Sequence, residues 1–448
     1  MTSASVVLRG SANLLVGRVA QAVLGVAILA LTTRTLDVRG FGEFATGLAV
    51  ASLVGGMLNA ALSDAYVASE GTRHPQLLTV LTVLLTAVCA GASGLLARDS
   101  GLALSALAVG CFVSASVATA GRLGAARADN RSVAIAVVQL VGSVGTLGVI
   151  GALALADSHR WQLFLLAYAI QPAALGLLRP AERALPGSGL RGVWRASRMF
   201  VASQVGWTVL SQANIVVLRV IVGADAAGRY AALVRLLDFL AVVAPLMAVL
   251  ALPAFVTAHR ADGDLRSAAR MNTTIACAGT VVLVAGMQFG WLGWRLLYGD
   301  QDYPALTFAI VGLGYGVSAA CGLPDRLLQA RGSSGAVASF AGVAAGACVV
   351  LGSVLSALAG AQGAAVALAV VLTCVNVGML RLTSPPPRVV AAHALLGCVA
   401  LLGACLVLAG DPVRSLPVSL SLATLLALAA SAPMWLLRDP TDRRPAAL

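Results

Sequence analysis

The chain has 448 residues, of which 59% are hydrophobic and 11% charged, with a mean hydropathy of +0.92. Soluble domains carry roughly 25% charged residues, so this composition excludes a water-soluble globular fold and leaves an integral membrane protein. The net charge is +12 and all 30 basic residues are Arg; no Arg stripe is interleaved with aromatics, so the excess reads as an orientation signal of cytoplasmic loops, and no nucleic-acid partner is expected.

A membrane-spanning helix needs about 20 apolar residues. Such runs are predicted at 12–33, 44–66, 76–97, 101–121, 132–156, 161–178, 199–222, 230–256, 272–297, 304–324, 335–359, 361–380, 389–410 and 415–437. The fold class is therefore all-α, a polytopic membrane protein of about fourteen transmembrane helices. The first run has no A-x-A cleavage site after it and reads as a retained helix, not a removed signal peptide. The stretch from Gly335 to Leu380 carries no charge. As one helix it would be about 69 Å long, so a break is expected at Gly360-Ala361-Gln362-Gly363. Pro172, Pro245, Pro253 and Pro324 fall in or beside spans, where proline permits kinks.

Orientation follows from the Arg count in alternate loops. With the N-terminus inside, the cytoplasmic segments carry twenty Arg and the opposite side seven. That bias places both termini in the cytoplasm of a multi-pass protein of the cell membrane. The longest connection, Arg179 to Arg198, follows the sixth span and divides the chain into an N-lobe at 1–183, a C-lobe at 184–381 and a C-terminal segment at 382–448 holding two further helices. A shift of 186 residues relates the lobes. Gly42-Glu43-Phe44-Ala45 falls on Gly228-Arg229-Tyr230-Ala231, and Arg9-Gly10-Ser11 on Arg195-Ala196-Ser197. Six helices return the chain to the same side, so the repeat is parallel.

Little in the sequence points to catalysis. It contains no G-x-x-x-x-G-K-[ST], G-x-S-x-G or H-E-x-x-H. The eight Cys lie in apolar runs without a CxxC pair and the four His are scattered, so no metal, cofactor or catalytic residue is expected. A charge inside hydrocarbon costs about 2.5 kcal/mol or more, which makes the few intramembrane charges informative. Arg18 lies about 13 Å deeper than Arg9; it either grips an anion such as a phosphate or bonds carbonyls at a neighbouring helix end. Arg235 and Asp238, spaced i, i+3, share a helix face. They are either a self-neutralising pair or a site where Asp238 couples to an ion while Arg235 binds substrate. Arg219 lies close enough to the loop at Gly223 to snorkel, and Asp64 falls at an interfacial position. Gln204, Gln212 and Asn214 in the seventh span need partners within the bundle and could line the same path.

Several of these segments resemble a known family. Arg34-Thr35-Leu36-Asp37 with Gly40-Phe41-Gly42-Glu43-Phe44-Ala45 resembles the start of the second helix in polysaccharide and oligosaccharide-lipid flippases of the multidrug/oligosaccharidyl-lipid/polysaccharide exporter superfamily. Leu218-Arg219-Val220-Ile221-Val222-Gly223 with Gly228-Arg229-Tyr230-Ala231-Ala232 and Arg235 is similar to the corresponding second-lobe segment. Leu297-Tyr298-Gly299 with Tyr303-Pro304-Ala305, and Gly360-Ala361-Gln362-Gly363-Ala364-Ala365, are similar to the starts of the tenth and twelfth helices. The resemblance implies two six-helix bundles around a cavity open to one side at a time, and movement of an undecaprenyl-diphosphate-linked sugar to the outer leaflet. It implies membrane lipids and a lipid-linked oligosaccharide as ligands, with polysaccharide polymerase and glycosyltransferases as associated proteins. The chain departs from it in carrying Asn214 where relatives often have an acid.

The expectation is a non-enzymatic flippase working by alternating access in polysaccharide or lipopolysaccharide biosynthesis, with Arg18, Arg235, Gln204 and Asn214 binding substrate and Asp238 coupling to an ion. The alternatives are a multidrug or small-cation antiporter of the same superfamily, which calls for acidic and aromatic walls, and a non-transporting assembly partner. A membrane glycosyltransferase would need a carboxylate or metal site in a sizeable loop, and the outer loops are short.

Overall fold

A computed structural model describes residues 20–59, 63, 100–129, 131–179, 190–241, 247, 255, 265–299, 302–409 and 416–431. Among the described residues the chain is all-α. Eight helices are long and apolar enough to cross a bilayer, accompanied by the shorter apolar helices Ala20–Thr35, Trp161–Leu177 and Ser421–Ser431. The predicted third span, 76–97, and most of 242–264 lie outside the described residues.

In chain order the helices are α1 (Ala20–Thr35), α2 (Val38–Ala51, running on through a π-turn at Ser52–Gly56), α3 (Ser100–Ala128) and α4 (Ser132–Leu155). Next come α5 (Trp161–Leu177), α6 (Leu190–Ile221), α7 (Ala224–Leu240), α8 (Leu265–Met287) and α9 (Gly290–Tyr298). The series ends with α10 (Ala305–Cys321), α11 (Pro324–Ala330), α12 (Ser334–Leu382), α13 (Pro387–Ala409) and α14 (Leu416–Ser431).

The 49 residues of α12 are two helices joined at a kink, where Ala359 (φ −137°, ψ 18°) and Gly360 (φ 57°, ψ −133°) leave helical geometry. This is the break expected from length. A positive φ suits glycine, and three residues later a Cβ on Gly363 would collide with the Leu355 carbonyl. The chain therefore turns back on itself at closest backbone approach.

Two compact units divide the chain, Met1–Ala232 with Ala341–Ala364, and Leu233–Phe340 with Ala365–Leu448. In the first, Asp37 caps α2 by accepting the Gly40 N–H at 2.6 Å, which satisfies one of the amides a helix start leaves without a partner. One face of α2 then buries Phe41, Phe44 and Leu48. The Phe44 ring lies 5.1 Å from that of Tyr168 on α5, and Gly47 lies where a Cβ would come within 2.8 Å of the Trp161 ring. The π-turn brings Gly55 against the backbone of Val113 in α3. On α4 the pattern is inverted. Val133, Val137, Val141 and Val144 are 50–54% exposed at turn spacing, as expected where the solvent is hydrocarbon.

The second unit packs α8, α10, α13 and α14 around Cys277, Val284, Leu396, Val399 and Leu426. Small residues let the backbones approach: a Cβ on Gly316 would lie 2.7 Å from that of Ala400, and one on Gly403 2.5 Å from Val284. Pro324 ends the tenth span in a specific way. Lacking an N–H, it cannot bond the Ala320 carbonyl one turn back. His393 Nδ1 takes that carbonyl at 2.5 Å, Asn272 donates to the Cys321 carbonyl at 3.1 Å, and the Asn272 side-chain oxygen accepts the Leu323 N–H at 2.7 Å. Gly322, at φ +73°, makes the turn. Pro172 acts similarly within α5, where the α-helix is interrupted between Tyr168 and Ile170.

Candidate functional site

Of the residues expected to carry function, Arg18 lies outside the described residues. The i, i+3 spacing does bring Arg235 and Asp238 together on α7, with Arg235 Nη1 3.4 Å from Asp238 Oδ2. A third member comes from α10, whose Tyr315 hydroxyl donates to Asp238 Oδ1 at 2.7 Å. The carboxylate is thus held on both oxygens by two elements of the second unit, while the side chains of Arg235 and Asp238 stay 28% and 39% exposed. A guanidinium and a carboxylate, partly open and linked by a long bond, can separate when either meets another charge.

Tyr315 did not emerge from the sequence. Its signal was a lone phenol in the uncharged run Ala305–Cys321, since a Tyr hydroxyl in such a setting needs a partner.

Gln204 and Asn214 lie on α6 in the first unit. Asn214 is 1% exposed. Its amide donates to the Ala364 carbonyl at 3.2 Å, its oxygen receives the Cys348 thiol at 3.6 Å, and it rests on Gly352. Both ends of the side chain are committed to α12, so Asn214 joins α6 to α12 through neutral partners. Gln204 is half-buried and hydrogen-bonded or otherwise engaged.

Arg219, close enough to the loop at Gly223 to snorkel, forms a two-bond pair with Glu43 of α2, Nε to Oε2 at 3.0 Å and Nη2 to Oε1 at 2.5 Å. Glu43 was not among the charges expected within a span, because the apolar run begins at Phe44. The helix begins earlier, at Val38.

Arginines also cap the opposite helix ends. At the end of α3 the sequence Arg122-Leu123-Gly124-Ala125-Ala126-Arg127 shares four of its six residues with Arg326-Leu327-Leu328-Gln329-Ala330-Arg331 at α11. Arg122 donates to the Gly176 carbonyl at the end of α5, and Arg331 to the Thr383 carbonyl past α12 at 2.9 Å. A cation on terminal carbonyls meets both the unpaired acceptors and the negative end of the helix dipole. Arg122 and Gly176 lie in the first unit, and Arg331 and Thr383 in the second.

No protein-family profile matches the chain, and a search of curated protein sequences finds no match. Solved structures do match. The lipid II flippase MurJ in an inward closed conformation superposes with a TM-score of 0.66 at 11% identity, over 94% of this chain and 98% of that one. An inward-facing multidrug resistance MATE family transporter of the MOP superfamily gives 0.55 at 13% identity over 84% and 94%. A MATE protein in complex with MaL6 gives 0.54 at 14% over 86% and 96%. At these identities the likeness is one of fold, and the chain has the fold of these polytopic membrane transporters.

Proposed function

We propose that the chain is a flippase that carries a lipid-linked oligosaccharide across the cell membrane by alternating access, with both termini in the cytoplasm. The observation that carries this reading is the extent of the likeness to the lipid II flippase, 94% of this chain and 98% of that one. With the two MATE structures the cover of this chain falls to 84% and 86%. The intramembrane chemistry supports the same reading. A cation antiporter needs free acidic walls, whereas each described intramembrane acid is engaged by an arginine, Glu43 by Arg219 and Asp238 by Arg235 and Tyr315.

In this reading Arg235 binds the diphosphate, since a guanidinium matches phosphate oxygens in a planar fork, and Arg18 is a second anion ligand. Phosphate competes with Asp238 for Arg235, and a cation or proton taken up by Asp238 favours the exchange. Gln204 offers neutral hydrogen bonds to sugar hydroxyls. The protein performs no bond chemistry; the work is shielding a charged, polar headgroup from hydrocarbon.

The test is a leaflet assay in vesicles reconstituted with the whole chain and a fluorescent lipid-diphosphate sugar. The wild type is expected to equilibrate the probe between leaflets, and Arg18→Ala and Arg235→Ala to slow it at least tenfold. No equilibration by the wild type, with uptake of a cationic dye under a pH gradient, would replace this reading with the antiporter. Neither activity would leave a non-transporting partner.

A further inference from the structure

The start of α2 and the start of α7 meet in a way that the 186-residue shift turns into itself. A Cβ on Gly42 would run into the Ala224 carbonyl, and a Cβ on Gly228 would lie 2.6 Å from the Val38 carbonyl and 3.0 Å from Gly42 N. The shift carries 38 to 224 and 42 to 228, so the two approaches are one contact seen from either side. A pseudo-two-fold axis therefore passes between the glycines, as a parallel duplication requires. All four residues lie within the first compact unit.

Beside this symmetric crossing sits an asymmetric pair. Glu43 follows Gly42, and both its oxygens are held by Arg219 of α6. The shift places Arg229 at the position of Glu43 and sets Arg219 against Thr33, whose hydroxyl bonds the Ala30 carbonyl at 3.0 Å. The crossing obeys the 186-residue shift, and the ion pair does not.

The two faces of α2 differ in kind. Against α5 it interdigitates large rings, Phe44 with Tyr168 and Gly47 beneath Trp161, a joint that opens only by unpacking side chains. Against α7, at Gly42 and Gly228, the closest approach is backbone to backbone, with no side chain interlocked at that point. The ion pair remains 38% exposed at Arg219 and 27% at Glu43, so water can solvate both charges once they separate.

We infer that the Gly42·Gly228 crossing and the Glu43–Arg219 pair form a separable latch that closes one end of the bundle, the end the arginine count places outside. The inference rests on the alternating-access reading for its purpose and on the contact geometry for its existence. The glycines set how closely the helices meet, and the ion pair sets how long they stay met.

Hydroxyl-radical footprinting of the whole chain in vesicles tests it through residues outside the pair. Phe41 and Tyr230, each 1% exposed, flank the crossing, and Trp294, 2% exposed in the other unit, serves as reference. Glu43→Gln and Arg219→Gln are each expected to raise oxidation of Phe41 and Tyr230 about fivefold, the effect of losing one partly exposed ion pair, with Trp294 unchanged. The reversed pair, Glu43→Arg with Arg219→Glu, should return both to the wild-type level. Gly228→Ala should raise them with no rescue by the reversed pair. Single variants that oxidise like the wild type, or a reversed pair as open as the singles while Trp294 stays protected, would overturn the latch. The wild-type leaflet assay is scored separately: absent flipping defeats the transport reading while the footprints still decide whether the contact opens.

Discussion

The two oxygens of Asp238 are held differently, by the Tyr315 hydroxyl at 2.7 Å and by Arg235 at 3.4 Å. Removing one partner of a charge pair leaves the other without compensation, which costs more than replacing both with apolar groups. A cycle of substitutions therefore separates a structural pair from a working one. Asp238→Leu and Arg235→Leu are each expected to lower the thermal unfolding midpoint in detergent, and the double variant to recover most of the loss. In the leaflet assay the double variant should remain inactive, because the phosphate ligand is gone. Full recovery of flipping in the double variant would make the pair structural alone. Part of this group was legible in the sequence, since i, i+3 spacing on a helix fixes a shared face. Tyr315 was not, because a contact between α7 and α10 depends on how two helices pack. Glu43 was hidden for a related reason: hydropathy marks where hydrocarbon begins, and α2 starts more than a turn outside it, at Val38.

At the scale of elements the same effect recurs. The second and eighth spans, expected from Phe44 and Tyr230, both begin six residues earlier, at Val38 and Ala224. The seventh, expected from Met199, begins at Leu190 and takes in Arg191, Arg195 and Arg198. Arg is a good helix former, so the helix passes through the interface where the apolar run stops. What length alone decided was the break in α12: a helix of 49 residues would run to about 74 Å, and two glycines supply the turn. Those glycines act by different means, which gives graded expectations. Gly360→Ala forces a side chain into positive φ with ψ near −133°, a region used by glycine, and should cost about 1–3 kcal/mol. Gly363→Val must also displace the Leu355 carbonyl, so it should lower the unfolding midpoint further, or prevent accumulation of folded protein. Equal midpoints for the two variants would show that the close approach at Gly363 carries no weight.

For the whole molecule, sidedness decides what the parts mean. The arginines that cap α5 and α12, Arg122 and Arg331, are among the twenty on the side counted as cytoplasmic, while the latch residues Glu43 and Arg219 lie at the opposite helix ends. The bias of twenty to seven is a property of the loops, and positive charge near span ends is retained on the cytoplasmic side. A reporter that works only in the cytoplasm, fused after Leu448, is therefore expected to be active, and the same reporter inserted after Ser158, between α4 and α5, to be inactive. An export-dependent reporter should give the reverse. The insertion at Ser158 is chosen because it follows the left-handed residue Asp157 (φ 50°) in a connection between two helices, where added chain is tolerated. If both reporters reported the inverted orientation, Arg122 and Arg331 would cap helices at the outer surface and the latch would close the cytoplasmic end. A flippase loading its cargo from inside would then have its loading end shut in the present conformation.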